Sequence, residues 1–406
     1  MPSKDKKVSP IHIRQSACGG HGGRMKTREA AIVGIGRTAF SKSSGRTPLT
    51  MAAEAARAAL DDAGLQPCEV DGVVDFHTND SASAADVARA IGAFDLGLAL
   101  DVHGGGNVAV TVVGQAFAAV QAGVCEVAVI FRSLQGRSGN RYGRGETPAL
   151  PMRGEMQFAA LNGFVVPPMW IAMFAQRHKH VYGTRDEDFG NIAITTRKHA
   201  SANPHAMQRQ VIDMDDYLSA RWICEPFRLY DCCLETDGAV ALVVTTLERA
   251  RFLRHDPIRI VGFGEAHTHG GSWTNFPDLS EMYSAYASKR LWATTDLRPA
   301  DLDVACMYDC FTGTVMATIE DFGLCPKGEV GAFFGEGRAT YGGDVVVNPH
   351  GGLLSEGYLH GLNHHYEAVL QLRGDAGDRQ VPDARHVLVT AGAGPAGGAL
   401  IYEASR

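Results

Sequence analysis

The stretch Asn348-Pro349-His350-Gly351-Gly352-Leu353-Leu354-Ser355-Glu356-Gly357-Tyr358-Leu359-His360-Gly361 places four glycines and a tyrosine just ahead of a helical pattern. Glycines packed this densely serve backbone that takes up positive φ or approaches another group closely, here before a helix N-terminus. The spacing predicts a helix after Gly361, running through Tyr366, Ala368 and Leu370. A plain helix entry would use the same glycines, but a tyrosine held in such a loop is also where site residues commonly sit.

Working outward, a related arrangement appears at Asp101-Val102-His103-Gly104-Gly105-Gly106-Asn107, followed by a helical pattern over Val108 to Ala122. The strand-plus-glycine stretch Ile32-Val33-Gly34-Ile35-Gly36 also returns, as Ile260-Val261-Gly262-Phe263-Gly264, an offset of 228 from Val33 to Val261. The Ala-rich helix predicted over Met51 to Ala63 has its counterpart in Ser284 to Thr294. Leu65-Gln66-Pro67 and Val70-Asp71 are matched by Leu297-Arg298-Pro299 and Leu302-Asp303, an offset of 232 from Asp71 to Asp303. A long-period repeat of βαβ pattern implies two similar α/β domains packed as a pseudo-dimer. Two glycine-rich turns facing each other across the pseudo-twofold would then form one site.

The chain has 406 residues, 45% of them hydrophobic, which is enough for a large core divided between domains. Its net charge of −7 gives no footing for nucleic acid. Nine cysteines, an odd number without a CxxC pair, point to reduced thiols and a cytoplasmic setting. No apolar run reaches membrane-spanning length, and the polar start has no signal-peptide core. The expected organisation is a disordered leader (1–24), a first domain (25–255) with an inserted loop region (about 132–225), and a second domain (256–406). Within the insertion, the stretch from Arg132 to about Pro168 reads as an irregular excursion. Arg137, Arg141 and Arg144 in it suit phosphates, although a solvated loop explains them too. His360 and His364 are four apart and would share a helix face as metal ligands, but no carboxylate completes the set and Gly361 interrupts the helix. The expectation is no metal.

Several motifs together resemble the thiolase superfamily, in its sterol carrier protein X and lipid-transfer branch. They are Tyr182-Gly183-Thr184, His199 to Pro204, Cys232-Cys233-Leu234-Glu235-Thr236-Asp237-Gly238-Ala239, Tyr308-Asp309-Cys310-Phe311, Asn348 to Leu353 and Gly392-Ala393-Gly394. The resemblance covers nearly all of Ala30 to Glu403 and implies a thiolase-like fold of two pseudo-twofold-related βαβαβαββ domains. The departures bear on function. The turn that carries a thiolase's nucleophilic cysteine reads His103-Gly104-Gly105-Gly106 here. Tyr308 and Tyr358 stand where the branch has catalytic histidines, and Thr390-Ala391-Gly392 stands where many thiolases hold an acid/base cysteine.

Without a thiolate, acyl transfer through a thioester has no nucleophile. Two phenols in a coenzyme A site suit retro-aldol cleavage of a β-hydroxyacyl-CoA, and the pattern looks like the steroid side-chain aldolases of that branch. The resemblance then implies cleavage of a 17-hydroxy steroid C22 acyl-CoA to a 17-keto steroid and propionyl-CoA, with no cofactor beyond the coenzyme A of the substrate. It also implies a homodimer and a small partner carrying an OB-fold and a zinc ribbon. On this reading Tyr308 and Tyr358 are catalytic, Tyr308 receiving the hydroxyl proton and Tyr358 serving the enolate. Gly104, Gly105, Gly351, Gly352, Gly392 and Gly394 shape the site or supply oxyanion N–H groups. Asp309 orients, His103 and His350 support, and Arg137 and Arg141 meet coenzyme A. A non-catalytic thiolase-like subunit that binds acyl-CoA and scaffolds a partner is the alternative; a decarboxylating or condensing enzyme is a third reading.

Overall fold

A computed structural model describes residues 28–139, 141 and 154–405; the expected leader and Arg144 lie outside the described residues. The first half supplies β1 (Ala30–Arg37), β2 (Gly72–His77), β3 (Leu98–His103) and β4 (Val127–Gln135). A small hairpin of β5 (Trp222–Cys224) and β6 (Phe227–Arg228) precedes β7 (Asp237–Thr246). The second half supplies β8 (Ile258–His267), β9 (Val304–Cys306), β10 (Val346–Val347), β11 (His386–Ala393) and β12 (Ala396–Ala404). The ten larger-sheet strands run in the order β10-β9-β11-β12-β8-β1-β7-β4-β2-β3. The order is the same read outward from the β8–β1 junction in both directions, so the strands pair off as β1 with β8, β7 with β12, β4 with β11, β2 with β9, and β3 with β10. That is the duplication seen in the sequence, and the halves meet at the Ile32–Ile258 pairing.

In chain order the helices are α1 (Pro48–Ala63), α2 (Ala84–Ile91), α3 (Ala109–Ala122), α4 (Met156–Leu161), α5 (Pro167–Tyr182) and α6 (Asp186–Ser201). There follow α7 (Met214–Ser219), α8 (Leu247–Ala250), α9 (Ser284–Trp292), α10 (Thr312–Asp321), α11 (Val330–Gly335) and α12 (Leu362–Arg373). Helices α1 and α2 cover the outer face of the first half-sheet. Helix α9, with α10 beside it, covers the second, while α3 and α12 pack between the halves.

Local chemistry explains the repeat. Helix α1 starts at Pro48 under a Thr47 cap and stops where Gly64 turns left-handed at φ 77°. Its alanine face (Ala52, Ala55, Ala56, Ala59) is buried so closely on β1 that a Cβ on Gly36 would lie 2.2 Å from the Ala55 carbonyl oxygen. Gly264 of β8 meets α9 in the same way, 2.4 Å from the Ala287 oxygen. The repeated strand glycines are helix-docking sites.

The inserted region differs from expectation at its start. Strand β4 continues through Gln135, paired with β7 as far as Asp237, so Arg132 is a strand residue, fully buried. Paired backbone amides kept the strand going where glycines and arginines had suggested a loop.

Candidate active site

Tyr308 leaves the end of β9 on backbone that is clamped from two sides. Asn348 accepts from the Met307 N–H at 2.8 Å and donates to the Met307 carbonyl at 3.0 Å, while the Tyr308 N–H donates to Thr390 Oγ1 at 2.9 Å. Tyr358 is clamped likewise: its N–H donates to Thr236 Oγ1 at 2.9 Å, and that hydroxyl donates back to the Tyr358 carbonyl. The two phenols thereby arrive with their oxygens 3.2 Å apart. The glycine turn before α3 closes over them, and a Cβ on Gly106 would stand 1.7 Å from Tyr308 Oη. The phenol of Tyr308 fills the space a side chain at this turn would need.

The Gly-rich loop is shaped by Asp309. Its carboxylate accepts from the Leu353 and Leu354 N–H groups at 2.7 and 3.2 Å, holding a π-helical turn over Gly352–Glu356. A Cβ on Gly352 would come within 2.0 Å of that carboxylate. Asp309 therefore orients the loop, and through it Tyr358.

The phenols open onto a cavity of about 1170 Å³ walled by Trp170, Tyr230, Trp273, Leu354 and the arginines Arg137 and Arg141, the latter paired with Glu235. Burial pushes both phenols well above the ordinary tyrosine range, so they are neutral at physiological pH. Of the pair, Tyr308 gains from the mutual hydrogen bond as an anion, whereas Tyr358 is raised further by it. Burial also raises the cysteines in the wall, Cys310 to about 12 and Cys233 well above its usual value. Neither is a thiolate at neutral pH.

Not every expected residue reaches this cavity. Gly104 and Gly105 wall it, but the Gly104 N–H is taken by the His77 carbonyl and the Gly105 N–H by Asn107 Oδ1. The Gly351 N–H is taken by the Asn348 carbonyl. These backbone donors, expected to serve an oxyanion, are spent on building the turns. His103 is exposed at the end of β3, because strand alternation turns Leu98, Leu100 and Val102 inward and His103 outward. His350 is buried behind the loop, bonded to His364 at 3.0 Å. Gly392 and Gly394 lie in close contact with Gly397 and Trp273, leaving Ala393, Pro395 and Ala396 as wall.

The pair weighed as metal ligands is split. Gly361 caps α12 in the left-handed region, so His360 precedes the helix and turns to Arg132, while His364 faces His350 and Asp309. A different group, Asp75, His77 and Asp101, brings ligand atoms within 4.8 Å of one another on β2 and β3. Sequence reading missed Arg132, Thr236 and Thr390 as site residues. Thr236 and Thr390 belonged to quoted motifs, yet their backbone partners are over 80 residues away.

A fold of two equivalent halves, with a cavity at their glycine turns, defines a protein of the thiolase superfamily. Residues 264–402 match the family model "Thiolase C-terminal domain-like". A "Steroid side-chain-cleaving aldolase" of Thermomonospora curvata is 42% identical over 93% of this chain and 98% of its own length. A "17-hydroxy-3-oxo-4-pregnene-20-carboxyl-CoA lyase" of Mycobacterium tuberculosis is 41% identical over 93% of this chain and 100% of its own. The solved structure of an "Ltp2-ChsH2(DUF35) aldolase" is 40% identical, covers 93% of this chain and 98% of that one, and superposes with a TM-score of 0.86. The chain belongs to the steroid side-chain-cleaving aldolases of this superfamily, and it is an enzyme, a carbon–carbon lyase.

Proposed function

We propose that this enzyme cleaves a 17-hydroxy steroid C22 acyl-CoA into a 17-keto steroid and propionyl-CoA, with Tyr308 and Tyr358 as a neutral proton relay. The observation that carries the reading is a buried and a half-buried phenol 3.2 Å apart, beside cysteines that hold their protons. A retro-aldol step needs no net acid or base; it moves one proton from the β-hydroxyl to the α-carbon. The substrate hydroxyl gives its proton to Tyr308 Oη as the Tyr308 proton passes to Tyr358 Oη and the Tyr358 proton goes to the α-carbon. The bond between carbinol carbon and α-carbon breaks, its electron pair passes through the thioester enolate, and the carbinol becomes the ketone. Every proton lost by one group is regained from the next, so both phenols end as they began. The high pKa values that would defeat a resting phenolate base suit this relay, since each tyrosine accepts one proton as it gives up another and neither has to rest as a phenolate.

The wall fits the substrate by chemistry. Trp170, Trp273, Tyr230 and Leu354 offer apolar and aromatic surface for fused rings, and Arg137 and Arg141 suit the phosphates of coenzyme A. The related solved structure is named for two components, Ltp2 and ChsH2(DUF35), and we propose a small OB-fold and zinc-ribbon partner here. We also propose a homodimer. Strand β3 lies at one end of the sheet, and pairing with a second copy would satisfy its outer backbone groups.

The test is product analysis after mixing the protein, with and without that partner, with a side-chain-hydroxylated steroid acyl-CoA. The ring ketone and propionyl-CoA in equal amounts are expected. Acyl-CoA binding with no product in either mixture would establish a scaffold in place of the lyase.

A further inference from the structure

Cleavage through an enolate requires a donor to the thioester oxygen, and the glycine-turn amides expected to supply it are occupied at Gly104, Gly105 and Gly351. The structure offers a side chain in their place. His360 is buried in the cavity wall, its ring 4.9 Å from that of Tyr358, and its Nε2 would lie 3.4 Å from a Cβ on Gly105. That edge faces the turn where a thiolase carries its nucleophile.

Its other edge is fixed by Arg132, which donates to His360 Nδ1 from Nε at 3.1 Å and from Nη2 at 2.8 Å. A guanidinium has donors only, so Nδ1 must be the acceptor and the ring proton of the neutral imidazole must sit on Nε2. Arg132 is in turn held by Asp80 at 2.7 Å and lies over the Phe76 ring at 5.2 Å. His360 adopts φ 53°, a left-handed conformation uncommon for a residue with a side chain, and the next residue is Gly361 at φ 90°. Backbone strain, a double hydrogen bond and a buried ion pair all converge on the orientation of one imidazole.

We propose that His360 is a third catalytic group, donating through Nε2–H to the thioester oxygen as the enolate forms, and that Arg132 is its positioning residue. This rests on the aldolase reading above. A carboxylate at Nδ1 would make the ring a better base; a guanidinium withdraws electron density and makes Nε2–H a better donor. Burial and the Arg132 charge also lower the imidazole pKa to about 3, so the ring acts uncharged. A neutral imidazole with a lowered pKa is a known way to polarise a carbonyl.

Two measurements test this. The first compares wild type, His360→Gln and His360→Leu in steroid acyl-CoA cleavage and in exchange of the α-protons of propionyl-CoA with deuterated water. Exchange requires enolisation but no carbon–carbon cleavage. His360→Leu, which keeps volume without a donor, is expected to lower kcat for cleavage and the exchange rate together by roughly 10²–10³-fold with KM changed little. His360→Gln retains an N–H near the Nε2 position and is expected to recover at least tenfold of that loss. The second, which needs no variant, is the nitrogen-15 spectrum of histidine-labelled wild-type enzyme, with the His360 signals expected to show a protonated Nε2 and a bare Nδ1 at neutral pH. Cleavage by His360→Leu within threefold of wild type, or a proton on Nδ1, overturns the proposal while leaving the aldolase reading intact. Absence of cleavage by wild type would instead remove the reading on which it rests.

Discussion

Replacing Gly106 by alanine adds one methyl group at the point where turn and phenol meet. The new Cβ would fall 1.7 Å from Tyr308 Oη, 2.2 Å from Cζ and 2.6 Å from Cε2, all far inside van der Waals contact. The phenol cannot withdraw freely, since the Tyr308 and Met307 backbone is bonded to Thr390 and Asn348 and the ring is buried. Either the ring or the turn must move by an ångström or more. Overpacking of this kind costs about 2–3 kcal/mol of stability, and an ångström of misplacement at a reacting group costs roughly 10²-fold in rate. The assay pairs urea denaturation with steady-state release of propionyl-CoA for Gly106→Ala, Tyr308→Ala and the double variant. Gly106→Ala should lose both stability and activity. In the Tyr308→Ala background, where the methyl has room, the same change should cost less than about 1 kcal/mol. Gly106→Ala keeping more than a third of wild-type activity would refute the claim that Tyr308 occupies the turn's side-chain space in the working enzyme.

Asp75 is fully buried with neither carboxylate oxygen hydrogen-bonded, and burial raises its pKa from 3.8 to about 8. Between those values the folded state holds a proton the unfolded state has released, so its stability is complete below pH 4 and falls as the pH rises towards 8. Asp75→Asn should therefore match wild type near pH 4 and exceed it by about 5 kcal/mol at pH 8 in urea midpoints followed across pH; a pH-independent difference would contradict this. Because the two phenols must keep their protons and sit above the ordinary tyrosine range, kcat/KM should show no alkaline fall below about pH 10. The same profile should carry no limb near pH 6.5, because His360 titrates near 3. Thr236→Val removes the hydroxyl that bonds the Tyr358 N–H and carbonyl, and should lower kcat about tenfold while costing about 1–2 kcal/mol of stability.

What the sequence disclosed divides along physical lines. The duplication was legible because helix docking on a strand demands glycine at fixed places, and Gly36 and Gly264 meet that demand in both halves. The helix expected over Met51 to Ala63 ended as predicted ahead of Gly64, whose backbone preference acts locally, but it begins three residues earlier, at Pro48. Tyr308 and Tyr358 stood out because they replace the expected residues inside otherwise intact motifs. The Gly104, Gly105 and Gly351 amides failed as oxyanion donors because sequence gives no account of where a turn's N–H groups bond. His103 failed because its direction depends on where β3 ends. Arg132 escaped because its partner, His360, is 228 positions away, and such a pairing leaves no periodic trace along the chain. Asp75 lies within an apolar run, Val73-Val74-Asp75-Phe76, and only the packed sheet reveals that its carboxylate has no partner.

The central claim is that two tyrosines, and no cysteine, carry the cleavage. It is tested most directly by Tyr308→Phe and Tyr358→Phe, each assayed with the partner protein present for release of propionyl-CoA and, in parallel, for binding of the steroid acyl-CoA. Phenylalanine keeps the ring and its packing while removing the proton. The account predicts a fall in kcat of at least about 10³-fold in each variant, with binding unchanged within a few-fold. Cleavage by either variant at close to the wild-type rate would contradict it.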